Sequence, residues 1–147
     1  MNVVIGCDPN AQDFKEQLME YIISLGHECA DFGSGDVIYA NVAVKVAEAV
    51  ANKEYDRGIL ICGTGIGVSI AANKVKGAYA ALVNNVYQAQ RAQLSNNANI
   101  MAMGSQVTGI ELAKCLVREY LQTEFVPNAR SGPKLEAIYN YEKGDAS

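Results

Sequence analysis

Histidine is nearly absent from this chain: His27 is the only one. It falls on a weak expected strand, away from the loops. It reads as a structural or surface residue rather than as a switch or a base. Cysteine is sparse and dispersed. Cys7, Cys29, Cys62 and Cys115 lie on separate expected elements with no C-x-x-C pair. That spacing argues against a disulfide framework or a zinc site and reads as four thiols in an intracellular chain. No apolar run reaches the length of a membrane span. The chain opens directly on Val3-Val4-Ile5, with no signal-peptide pattern, so a cytoplasmic protein with no membrane partner is expected. Positive charge is short: 12 Lys and Arg stand against 16 Asp and Glu, for a net charge of −4. The basic residues are scattered, which gives nucleic-acid binding little electrostatic basis. Repeats, low-complexity stretches and linkers are also missing. What remains is an ordinary globular composition, half apolar and 19% charged over 147 residues. One domain over residues 1–147 with one substantial core is expected.

The most informative segment runs from Gly58 to Lys74. Gly58-Ile-Leu-Ile-Cys62 is a short apolar run of strand formers. Gly63, Thr64, Gly65, Ile66 and Gly67 follow, then the Ala-rich Ala71-Ala72-Asn73-Lys74. The pattern is a buried strand, a tight glycine turn and a helix start. Ligands of parallel α/β sheets collect at this place, beyond the carboxyl ends of the strands. A thiol there faces backbone N–H groups and the positive end of the next helix, and both favour thiolate. The bland alternative is an inert buried cysteine beside a simple turn. Nucleotide loops are excluded. No Gly-Lys-Ser/Thr sits at the P-loop spacing, and the three glycines are packed too closely for a dinucleotide fingerprint.

Along the chain, strands are expected over 2–7, 27–32, 57–62, 78–83 and 99–104. Helices are expected over 13–25, 39–52, 86–95, 108–122 and 133–141, with a further one that follows the glycine turn and ends at Lys74. The apolar residues Phe14, Leu18, Tyr21, Ile22 and Leu25 recur at helical spacing, as do Ile110, Leu112, Leu116, Val117 and Tyr120. Gly26 suits a helix end. Regular strand–helix alternation predicts a three-layer α/β/α fold, with a five-stranded parallel, Rossmann-like sheet, right-handed crossovers and an added C-terminal helix.

At the expected carboxyl ends of the strands sit Cys7-Asp8, Cys62 to Gly67, Asn84-Asn85 and Gly104-Ser105. Asp8 would lie beside the thiol loop if the first and third strands are neighbours; taken alone it is a turn or helix cap. Ser95-Asn96-Asn97-Ala98-Asn99 is an amide-rich turn. Arg130 and Lys134 flank the start of the last helix, as solvated charge or as an anion site.

Together these residues resemble the ribose-5-phosphate isomerase B family, which includes the galactose-6-phosphate isomerase subunits. The resemblance covers nearly the whole chain. It rests on Gly6-Cys7-Asp8, the Cys62-Gly63-Thr64-Gly65-Ile66-Gly67 loop with Ala71 to Lys74, Ser95 to Asn99, and Met103-Gly104-Ser105 with Gly109-Ile-Glu111-Leu-Ala113-Lys114. It implies an aldose–ketose isomerase of a phosphorylated sugar, with no metal or other cofactor. Cys62 would move a proton between C1 and C2 through a cis-enediolate. Thr64 and the amides of Gly63, Gly65 and Gly67 would stabilise the enediolate oxygen, and Asp8 would hold substrate hydroxyls. Ser95, Asn96 and Asn99 would contact substrate, and Arg130 and Lys134 would hold the phosphate. The family is dimeric, which implies a homodimer or a dimer of dimers with each site completed by the partner subunit. General chemistry supports the roles: a carbon acid needs a base tuned toward neutrality, and its oxyanion needs preorganised donors.

The departures narrow the substrate. Pro9 stands where ribose-5-phosphate isomerases carry a histidine, and Ser95 where they carry the ring-opening one. Gln106 and Ala129-Arg130-Ser131 also differ from the usual pattern. A pentose 5-phosphate closes through O4 and benefits from a group that opens the ring. A tetrose 4-phosphate has O4 esterified and cannot close that ring. Tyr39-Ala40-Asn41, Leu94-Ser95-Asn96-Asn97 and Arg130-Ser131 resemble the erythrulose-4-phosphate isomerase branch. The favoured reaction interconverts D-erythrulose 4-phosphate and D-erythrose 4-phosphate, with ribose 5-phosphate and ribulose 5-phosphate as the alternative pair. Two other classes remain open: a non-catalytic sugar-phosphate-binding subunit, which retention of Cys62, Asp8 and Thr64 argues against, and a redox-sensing thiol protein using Cys7.

Overall fold

The computed structural model describes residues 1–144. Five strands, β1 (Asn2–Cys7), β2 (Glu28–Asp31), β3 (Arg57–Cys62), β4 (Ala80–Leu82) and β5 (Ile100–Gly104), form one sheet in the order β2-β1-β3-β5-β4. Every pairing is parallel. Strands β1, β3 and β5 are apolar on both faces, as buried parallel strands must be, and residues 3–7, 57–62 and 100–104 are all buried.

Side-chain alternation divides the core. Val3, Ile5, Cys7, Ile59, Ile61, Met101 and Met103 pack with α1 (Gln12–Ser24), α4 (Val86–Leu94) and α5 (Ile110–Gln122). Val4, Leu60, Cys62, Ile100 and Ala102 pack with α2 (Tyr39–Ala51) and α3 (Ile66–Ala72). The chain moves one way across the sheet through α1 and α4 and the other way through α2 and α3. Crossovers of a single hand therefore put those pairs on opposite faces. A last helix, α6 (Gly132–Glu142), lies along the β4 edge.

Several boundaries differ from the sequence expectation. Asp8, Pro9 and Asn10 start a single 3-10 turn over Pro9–Ala11 rather than leading straight into the helix. Strand β4 shrinks to three residues because Ala78 already closes a turn onto the Val75 carbonyl. On α5 the inward stripe is Ala113, Leu116, Val117, Tyr120 and Leu121, and Leu112 points outward. On α1, Leu25 lies beyond the helix end and is exposed, whereas Lys15 is buried. Lys15 is accommodated by Asp31, whose two carboxylate oxygens each accept from Nζ at 2.8 Å. Among the described residues, no helix is long and apolar enough to cross a membrane.

Candidate active site

The chain leaves β3 toward α3 on one face, while β1 and β5 lead to α1 and α5 on the other. Such divergence opens a crevice at the carboxyl end of the central strand. Cys62 ends β3 at this place and is 4% exposed. The Gly65 N–H donates to Cys62 Sγ at 3.1 Å. Gly65 reaches that position only at φ +81°, and a Cβ there would meet the Met103 carbonyl carbon at 2.7 Å. Both conditions demand glycine. Strand β5 braces the loop: the Ser105 and Gln106 N–H groups donate to the Cys62 and Gly63 carbonyls at 2.9 and 3.0 Å. A Cβ on Gly104 would strike the Thr64 backbone at 2.5 Å. The exposed Thr64 hydroxyl accepts the Ile66 N–H at 3.2 Å.

Strands β1 and β3 are neighbours, so Asp8 does lie beside the thiol loop. Its N–H donates to the Ile61 carbonyl at 2.9 Å. One carboxylate oxygen also accepts the Asn10 N–H at 2.8 Å, so the capping role and the site position coexist. Asn85 caps α4 through the Gln88 N–H at 2.8 Å. The segments at this mouth, residues 7–10, 62–67, 84–85 and 104–106, contain one carboxylate and no Lys or Arg.

Two further side chains border the loop. The Tyr39 phenol at the start of α2 lies directly over the space a Gly67 side chain would fill. The Gln106 amide oxygen comes within 3.3 Å of the Cβ position of Gly63. The sequence marks Tyr39 as a helix residue and as part of the Tyr39-Ala40-Asn41 pattern, but nothing in it couples Tyr39 to a glycine 28 positions away. Cys7 is not a partner thiol. It belongs to the α1/α5 face of the sheet and Cys62 to the α2/α3 face. Burial also pushes the Cys7 thiol up to about 11.

Ser95, Asn96 and Asn99 lie at the other end of the sheet. Ser95 ends α4, Asn96 follows, and Asn99 immediately precedes β5. Ser95 Oγ lies 3.0 Å from both the Arg91 carbonyl and Asn96 Oδ1. Asn99 is committed to the backbone: its Nδ2 donates to the Gly77 carbonyl at 2.9 Å and its Oδ1 accepts the Tyr79 N–H at 2.8 Å. Arg130 and Lys134 are exposed at the start of α6 and form no ion pair among the described residues. Asn97 meets α6 at the Tyr139 hydroxyl, 3.5 Å away. The length of β5, roughly 16 Å at a strand rise of about 3.3 Å per residue, separates the Ser95–Asn99 segment from Cys62. One chain does not bring Ser95, Asn96 and Asn99 to Cys62. His27 sits apart from both, at the start of the opposite edge strand, 3.1 Å from the N-terminal amine. Burial and the positive charges of that amine and Arg57 hold its pKa below the usual range. Among the described residues no cluster of His, Cys, Asp and Glu could hold a metal.

Known proteins share this arrangement. A D-erythrulose-4-phosphate isomerase of Mycolicibacterium smegmatis is 46% identical over 97% of this chain and 97% of its own length. A ribose-5-phosphate isomerase B of Listeria innocua is 44% identical over 94% of this chain and 95% of its own. The structure of ribose-5-phosphate isomerase B from Clostridium thermocellum superposes with a TM-score of 0.92 at 40% identity, covering 98% and 99% of the two chains. A parallel α/β sheet with a thiol and glycine amides at its central strand end is here the framework of an aldose–ketose isomerase of sugar phosphates. The chain belongs to the Ribose/Galactose Isomerase family, whose model matches residues 3–138.

Proposed function

We propose that this enzyme interconverts D-erythrulose 4-phosphate and D-erythrose 4-phosphate. In this reading Cys62 thiolate removes a proton from the carbon next to the carbonyl. An enediolate forms, a proton passes from the C1 oxygen to the C2 oxygen, or the reverse for the aldose, and Cys62 returns its proton to the neighbouring carbon, so that C1 and C2 exchange oxidation level with no external oxidant. The Gly65 N–H holds the Cys62 sulfur, and the neighbouring glycine amides and the Thr64 hydroxyl supply donors for the enediolate oxygen. Asp8 orients the substrate hydroxyls. Because the mouth carries no cation, the phosphate is held by Arg130 and Lys134 of a second copy, which also presents Ser95 and Asn96. The exposed Ile66 and Ile70 of α3 and Tyr87 of α4 (53%, 58% and 71%) flank the mouth and offer apolar surface for that copy. A homodimer is the simplest assembly that shares sites reciprocally.

The observation that carries the substrate is the lack of imidazole at both clusters: Pro9 follows Asp8, Ser95 ends α4, and His27 is bound to the N-terminus on the far edge. An enzyme so built suits a sugar that stays open-chain. The name of the Mycolicibacterium smegmatis relative agrees with this. The name of the Listeria innocua relative favours ribose 5-phosphate and ribulose 5-phosphate as the second reading.

The deciding measurement is kcat/KM for both tetrose phosphates and both pentose phosphates, since that ratio compares transition-state stabilisation. We expect the tetrose phosphates to exceed ribose 5-phosphate by at least about tenfold, the low side of what one acid–base group contributes. Ribulose 5-phosphate, which cannot form the aldofuranose, should lose less than ribose 5-phosphate. Ser95→His should raise activity on ribose 5-phosphate selectively. Wild-type preference for ribose 5-phosphate would reject the tetrose reading and leave the isomerase class intact.

A further inference from the structure

Helix α6 carries Arg130 and Lys134 near its start, yet its only buried side chain is Leu135. Its far end is fixed by polar contacts instead. The Glu142 carboxylate accepts the Gly77 N–H at 2.9 Å through one oxygen and the Tyr79 hydroxyl through the other. The Tyr79 ring also packs against Tyr139, one helical turn before Glu142, with centroids 5.2 Å apart. Burial and the adjacent carboxylate push the Tyr79 phenol well above its ordinary range, so it remains a donor.

The same Gly77–Tyr79 turn is gripped from its other side. Asn99 donates to the Gly77 carbonyl and accepts the Tyr79 N–H. Asn99 lies directly beyond the Ser95–Asn97 turn, and Asn97 itself reaches Tyr139. One short turn, closed by Gly77 at φ +86°, thus ties the amide-rich segment to the cationic helix.

We propose that Glu142 and Tyr79 are positioning residues of the phosphate subsite. They lock the far end of α6 against the β4 edge, so that the helix that carries Lys134, with Arg130 just before it, is held at a fixed place on the sheet. This inference rests on the phosphate reading given above. Neither residue touches substrate. Each acts through the helix, and loosening the lock costs phosphate affinity because the cations must be ordered at binding.

Glu142→Gln and Tyr79→Phe each remove the hydroxyl–carboxylate contact while keeping the size of the side chain. Each should raise KM for the phosphorylated substrate and the inhibition constant of inorganic phosphate together, by about five- to tenfold. The effect on kcat should stay below about twofold, the signature of lost binding rather than lost chemistry. The double variant should be no worse than the more affected single one, because both break the same contact. Arg130→Ala, measured alongside, separates the two levels of the argument. If Arg130→Ala weakens phosphate inhibition while both lock variants leave it unchanged, the lock is overturned and the phosphate reading stands. If Arg130→Ala leaves phosphate inhibition unchanged, the phosphate reading falls and the lock falls with it. Should Glu142→Gln fail to fold, Tyr79→Phe removes a single oxygen atom and decides the question. A lowered melting temperature with unchanged KM and phosphate inhibition would assign Glu142 and Tyr79 to stability alone and overturn the proposal.

Discussion

Cys62 and Cys7 show how one residue type takes two roles from backbone geometry. Both end apolar strands, but opposite faces of the pleat and different following turns separate them. Cys7 is sealed into the α1/α5 core, where burial holds it protonated. Cys62 has the Gly65 N–H aimed at its sulfur and ends the central strand, where the chain turns through the glycine loop. If Cys62 is the proton-transfer base, Cys62→Ala should cut turnover by on the order of 10²-fold or more, within the range of general base catalysis. Cys62→Ser should also be poor, because a hydroxyl is much harder to ionise than a thiol. Circular dichroism should be unchanged in both, so the loss would be chemical. Near-wild-type turnover by Cys62→Ala would take the residue out of the mechanism. The same scale disposes of a redox pairing with Cys7, since the two thiols project to opposite sides of the sheet.

Among elements, the Cys62–Gly67 turn is the most constrained. Gly65 carries two demands at once, a left-handed backbone and the absence of a Cβ beside Met103. Gly65→Ala should destabilise the fold by about 1–2 kcal/mol from the backbone alone, with more from the steric contact. It should also lower kcat, because the N–H that meets Cys62 moves with it. Thermal unfolding together with steady-state turnover checks this; wild-type values in both would show that the turn is not held as described. This turn was legible in the sequence because strand end, alternating glycines and helix start are local signals. The five strands and their parallel arrangement were legible for the same reason. Lys15 was not: it looks like an exposed helix residue, and only the arrival of Asp31 from β2 allows it to be buried. Tyr39 over Gly67, and Glu142 on the Gly77–Tyr79 turn, are equally non-local. So is the outward turn of Leu112, which depends on which flank of α5 meets the sheet.

At the scale of the whole molecule, the sheet carries two incomplete clusters on opposite ends. The Cys62 thiol, the Asp8 carboxylate and the glycine N–H groups lie at the carboxyl end, and the Ser95–Asn99 amides at the other. The sequence names both sets of residues but cannot give the distance between them, which strand length imposes. A reciprocal dimer would give each Cys62 mouth the cations of the other copy, and this has a direct consequence for mixtures of variants. Cys62→Ala and Arg130→Ala homodimers should each be weak. If they are unfolded and refolded together, half of the dimers are mixed when association is random. Each mixed dimer holds one site with both lesions and one with neither. Activity should therefore recover to roughly a quarter of the wild-type level at equal subunit ratio, as two-fold symmetry dictates. The recovery should follow the fraction of mixed dimers as the ratio is varied. A site wholly contained in one chain predicts no recovery at any ratio. That result, with both parent variants shown to be dimeric and folded, would reject the shared-site assembly.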